Sequence, residues 1–305
     1  MITILRKELA DYFTSIRCLI LFLLVLFISA ASLFAVLQGI RGINLPESLV
    51  FLGLFTASGN VIPPLVSLIA LLVPLIGIAL GFDAINSERS GGTLSRVLSQ
   101  PVYRDNVING KFLAGIVTLS IMMAATILIV SGYGLRVIGV TPTAEEALRI
   151  LLYLFFTIVY GTFWMGLAML FSVLFRRVAT SLLSSLGAWL FFTIFIGMIA
   201  QAIAGNVAPI ADAPVRNAEI ELAIMRVSPN TLFSEATTAL LLPSLSRFMI
   251  GVVTMGQAAY MLDNPLSLGQ SAILIWPQLT TLIGLSAICF AASYVIFMRQ
   301  EIRAT

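Results

Sequence analysis

The chain has 305 residues, of which 59% are hydrophobic and 10% charged, against about 25% charged in an ordinary soluble domain. With a mean hydropathy of +1.05, it lacks the polar surface needed to cover a water-soluble globule. It has no histidine, its two cysteines (Cys18 and Cys289) lie in apolar runs, and its net charge is only +3. A Cys/His zinc site is thereby excluded, and nothing argues for a disulfide framework or for nucleic acid.

The expected fold is an all-α polytopic membrane protein, a single transmembrane unit over residues 1–305. Residues 1–17 predict a helix lying at the membrane interface. Ile2, Leu5, Leu9, Phe13 and Ile16 share one face, and Arg6, Lys7 and Asp11 point elsewhere. An ordinary flanking helix fits the same pattern. The apolar run that follows is long for a signal-peptide core, and Glu8 and Asp11 precede it, so a retained span is expected.

Six runs are long enough to cross a bilayer, which takes about 20 apolar residues. They are Cys18–Leu37, Val61–Phe82, Phe112–Val130, Ile150–Phe175, Val178–Ala204 and Ile273–Met298, and none contains Asp, Glu, Lys or Arg. The second carries Pro63, Pro64, Pro74, Gly77 and Gly81, which predicts a kinked helix. Between the second and third lies a polar loop, residues 83–111. Ser90-Gly91-Gly92 permits a sharp turn, and Thr93 can cap a short helix. Leu94, Val97 and Leu98 then form one apolar stripe, with Ser95, Arg96 and Ser99 facing away, and Pro101 ends the helix. A second helix should start near Tyr103 and run into the third span. The fourth and fifth runs are separated only by Arg176 and Arg177. Residues 205–272 hold short helices at Glu219–Val227 and Thr231–Leu241, and an apolar stretch, Phe248–Ala259, that is too short to span.

An even number of spans puts both chain ends on one side. The end segments, the 83–111 loop and the Arg176–Arg177 hairpin hold 11 of the 17 basic residues, so the positive-inside rule assigns that side to the cytoplasm. A short amphipathic helix there must bury its stripe against the bilayer, the protein's own helices or a partner's groove, at about 1.5–3 kcal/mol per Leu or Val. A structured loop packed on itself satisfies the pattern as well.

The stretch "INSERSGGTLSRVLSQPVYRDNVINGKFLAG" strongly resembles the first cytoplasmic loop of ABC type-2 transporter permeases. The matching positions are Glu88-Arg89, Gly92-Thr93-Leu94, Leu98 to Pro101, Arg104 and Gly110-Lys111. The layout of the whole chain is similar too. "SPNTLFSEATTALL" and "YVIFMRQEIRA" resemble the branch that includes the permease of the nitrous-oxide reductase maturation transporter. The resemblance implies that the loop is a coupling helix docking in a groove of a separate ATP-binding subunit. Glu88, Arg89, Thr93, Leu94, Val97, Leu98 and Arg104 are then the candidate contacts. It also implies two such subunits, which would bind ATP and Mg, and a second permease chain, identical or different. The chain itself should carry no cofactor. The second and fifth spans would face the dimer partner and line the path, and helices before the last span would cap its outer end. Ser184, Ser185, Thr193 and Gln201 are the polar candidates on the fifth span, and helix–helix hydrogen bonds are the alternative use for each.

No Gly-x-x-x-x-Gly-Lys-[Ser/Thr] loop occurs, so ATP hydrolysis is not expected in this chain. The spans hold no acidic or basic residue, which argues against an ion-coupled carrier. Three readings follow: the permease of a prokaryotic ABC exporter in the cytoplasmic membrane, an ATP-driven transducer serving an extracytoplasmic protein, and, less favoured, a secondary carrier. The substrate cannot be read from an apolar path.

Overall fold

The computed structural model describes residues 1–40, 51–57, 63–92, 103–139, 141–207, 214–242 and 266–300. Among these every regular element is helical. Amphipathic α1 (Ile2–Thr14) stops at Ser15, whose backbone is extended, and α2 (Ile16–Ile40) forms the first span. Short α3 (Gly53–Thr56) precedes the second span, α4 (Leu65–Gly81). One turn of helix, α5 (Asn86–Ser90), leads into the polar loop. The third and fourth spans are α6 (Arg104–Ile138) and α7 (Ala144–Leu174). The fifth, α8 (Val178–Val207), contains a π-helical turn at Phe191–Phe195. Then come α9 (Pro214–Met225), α10 (Pro229–Leu241) and the last span, α11 (Leu268–Arg299). All six spanning helices are long and apolar enough to cross a membrane. The side holding α1 and the end of α11 is the terminal face and the other is the opposite face.

The 35 residues of α6 extend for about 50 Å at 1.5 Å per residue, well beyond a 30 Å hydrocarbon core. Its polar first turns therefore stand outside the apolar layer. Helix α7 is the hub of the bundle, packing most extensively on α4 and α11. Its Tyr153, Phe156, Tyr160 and Trp164 are fully buried, and Tyr160 stacks on Phe233 of α10 with ring centroids 4.3 Å apart. Two glycines explain how α4 comes so near. A Cβ on Gly77 would lie 2.6 Å from the Gly161 carbonyl oxygen, and one on Gly81 would lie 2.5 Å from that of Met165. These glycines of the second span thus serve close backbone packing. By contrast only 11% of the spanning part of α8 is buried, so most of that helix is free to meet lipid or another chain.

A candidate coupling collar and an opposite-face cavity

The terminal face is organised by a cluster of charges. Lys111, in the third turn of α6, is 5% exposed and lies 3.0 Å from Glu8 of α1 and 2.9 Å from Glu88 of α5. Lys7 adds contacts of 3.1 Å to Glu8, 3.4 Å to Asp11 and 3.6 Å to Glu88. Burial lowers the Lys7 ammonium, but Glu8, Glu88 and Asp11 outweigh it and raise the pKa well above an ordinary lysine's. A buried ion costs several kcal/mol unless its partners surround it. Here one ammonium sits between two carboxylates, and the cluster ties α1, α5 and α6 together. Gly110 makes the seat possible: a Cβ there would lie 2.8 Å from the Ile4 side chain. Nearby, the Tyr12 hydroxyl donates to the Leu80 carbonyl oxygen at 2.9 Å, and Arg17 pairs with Asp83. Burial first, and then the carboxylates of Glu8 and Asp83, raise the Tyr12 pKa.

A second knot forms around Gln300, just past α11. Its side-chain oxygen accepts from Arg89 at 3.2 Å, its carbonyl oxygen accepts from Arg104 at 3.2 Å, and its amide donates to the Val173 carbonyl oxygen at 3.0 Å. The Ser172 hydroxyl oxygen accepts from the backbone N–H groups of Ile85 and Asn86, at 3.0 and 3.2 Å. Together these contacts form a collar that fixes both ends of the polar loop to α1, α6, α7 and α11. Of the residues named for docking, Glu88, Arg89 and Arg104 belong to this collar. Thr93, Leu94, Val97 and Leu98 lie outside the described residues.

On the opposite face a buried arginine does similar work. Arg149 of α7 has no exposure. It donates to the Leu240 carbonyl oxygen (2.9 Å), the Leu266 carbonyl oxygen (2.6 Å), the Ser271 hydroxyl (3.2 Å) and Glu145 (2.7 Å). It joins α7 to the end of α10 and the start of α11. One helical turn away Glu146 closes a capping box with Thr143, while its other oxygen accepts from the Phe51 N–H at 3.0 Å. The capping box is legible in Thr143-Ala-Glu-Glu146. The burial of Arg149 is not, because the residue stands just outside an apolar run and reads as a loop charge.

A cavity of about 320 Å³ opens among α4, α8 and α10 in the opposite-face half of the bundle, with Ser67, Leu71, Trp189, Thr193, Asn230 and Phe233 in its walls. Thr193 is thus the one fifth-span candidate on the cavity. Ser185 is buried and donates to the Ser181 carbonyl oxygen of its own helix, Ser184 is half-buried and Gln201 is exposed.

Six helices apolar enough to cross a membrane, an amphipathic helix packed chiefly on the third of them, and a polar loop held at both ends between the second and third describe a multi-pass membrane protein. Comparison with known families makes the class specific: residues 2–302 match the ABC-2 family transporter protein, and the chain belongs to this family, as the membrane permease subunit of an ABC transporter. Among curated proteins it is similar to the probable ABC transporter permease protein NosY of Stutzerimonas stutzeri, at 26% identity over 97% of each chain. A protein of the same name from Pseudomonas aeruginosa is 30% identical over 49% of this chain, and that match spans about half, 54%, of the relative's length.

Proposed function

We propose that this chain is the permease of a prokaryotic ABC exporter in the cytoplasmic membrane, with both termini in the cytoplasm, driven by separate ATP-binding subunits. Two such subunits, each binding ATP with Mg, dock on the loop around Leu94, and a second permease chain completes the pathway. The observation that carries this reading is the collar. Glu88, Arg89, Arg104 and Lys111 tie both ends of the loop to four helices, so a push on the loop reaches α1, α6, α7 and α11 together. A loop whose only task is to connect two spans needs no such anchorage. The exposed length of α8 supports pairing with another permease. A second reading, a transducer that works an extracytoplasmic protein, is supported by the opposite-face helices α9, packed on α8, and α10, held to α7 through Arg149.

The test is co-purification with the ATPase encoded nearest this gene. The wild-type chain should retain it, and Leu94→Asp should release it while the permease still elutes as a folded species. A permease that binds no ATPase contradicts the proposal, and retention by Leu94→Asp moves the docking contact elsewhere.

A further inference from the structure

The cavity among α4, α8 and α10 is a second feature that coupling does not explain. Its volume, about 320 Å³, falls at the small end of the range for ligand pockets. At about 30 Å³ per water it equals roughly ten water molecules, too little for a two-chain lipid. The wall has an apolar body built on Val66, Leu71, Trp189 and Phe233, and among the described residues no charged side chain lines it. Against this body stand polar groups that are not all used by the protein. The Asn230 side-chain oxygen accepts from the Tyr160 hydroxyl at 3.3 Å, while its amide donors have no partner among the described residues.

Thr193 is the most telling of them. Buried threonines elsewhere in the bundle donate to the carbonyl four residues back: Thr118 to Ala114, Thr126 to Met122, Thr157 to Tyr153 and Thr237 to Phe233, at 2.7–2.8 Å. The Thr193 hydroxyl is shut from solvent and has no hydrogen-bond partner among the described residues. It sits in the middle of the π turn, Phe191–Phe195, where the extra residue breaks the four-residue register. Leaving a buried hydroxyl unpaired costs about 1–3 kcal/mol. Rotation about χ1 between staggered positions is the easy route by which that hydroxyl reaches a ligand.

We infer that this cavity binds a small neutral amphipathic molecule, an apolar body of about ten heavy atoms bearing a hydroxyl or amide, with its polar end toward Thr193 and Asn230. The site lies within one chain and goes beyond the coupling proposal. It needs no ATPase, so its failure and the failure of that proposal can be told apart.

Trp189 in the wall supplies the readout. The full-length chain in lipid nanodiscs is titrated with 8-bromooctan-1-ol, whose bromine quenches indole on contact, and in parallel with the anion 8-bromooctanoate. Quenching by the alcohol should saturate, and the saturable part should vanish in Trp189→Phe. Half-saturation should rise about fivefold in Thr193→Val or Asn230→Leu, the worth of one hydrogen bond, and the carboxylate should bind at least that much more weakly. Thermal melting of each variant separates loss of binding from loss of fold, and Thr193→Val, being isosteric, keeps the test valid if Asn230→Leu is unstable. Quenching that rises linearly with lipid content, or saturates equally for alcohol and carboxylate, overturns the assignment. So does a half-saturation that Thr193→Val leaves unchanged in a folded protein.

Discussion

Arg149 and Lys111 carry charge into the bundle, and each is held by a different device. Lys111 is compensated by carboxylates from two other helices. Arg149 instead uses its planar fork on the Leu240 carbonyl in the last turn of α10 and the Leu266 carbonyl just ahead of α11, a geometry that a lysine cannot match. Replacing Arg149 by Met leaves those carbonyls and the Glu145 carboxylate without their donor. A loss of about 3–5 kcal/mol is expected, as for breaking one side of a buried pair, and Arg149→Lys should recover only a small part of it. Melting of the purified protein in detergent checks this, and a Met variant that melts within 1–2 °C of the wild type, where about 1 kcal/mol is worth 2–4 °C at this size, would show that the carbonyls find other partners.

At the scale of elements, the six spans were legible because about 20 consecutive apolar residues have few soluble uses. Their ends were less so. The fourth run starts at Ile150 by composition, but α7 starts at Ala144, whereas α6, starting at Arg104, follows the expected helix that begins near Tyr103 and runs into the third span. The fourth run stops at Arg149, a charge that the helix carries through, paired with Glu145 of its own helix and bonded to carbonyl oxygens near the end of α10 and the start of α11. No sequence period reports such long-range pairing. The π turn at Phe191–Phe195 was equally invisible, since the surrounding residues are uniformly apolar. The prolines and glycines of the second span suggested a kink and a path, whereas Gly77 and Gly81 prove to be the contact with α7. Gly81→Leu would drive a side chain into the Met165 backbone. Overpacking costs about 1–3 kcal/mol where side chains can yield, and a collision with backbone should reach or exceed the top of that range. A Gly81→Leu chain that expresses and melts like the wild type would mean that α4 can move away from α7 freely.

For the whole molecule the two faces have different architectures. The terminal face is a collar of paired charges and hydrogen bonds around the ends of the polar loop, while on the opposite face buried Arg149 joins α7 to α10 and the start of α11 beside a cavity with no charged lining among the described residues. The sequence pointed to the loop through Glu88, Arg89 and Arg104, and of its four polar candidates on the fifth span only Thr193 lines the cavity. It did not reveal that Lys7, Glu8, Lys111 and Gln300 complete the collar, since these four come from three distant parts of the chain. The coupling proposed above requires that ATP binding to a docked subunit move the collar relative to the rest of the bundle. The most direct measurement places spin labels at Thr14, at the exposed end of α1, and at Thr180, at the exposed start of α8, in a chain with Cys18 and Cys289 replaced. The distance between the labels is then read in the complex with its ATPase, with and without ATP and vanadate. A distance change on trapping that disappears in Leu94→Asp is expected. A distance that stays the same while the ATPase is bound and trapped would contradict the coupling.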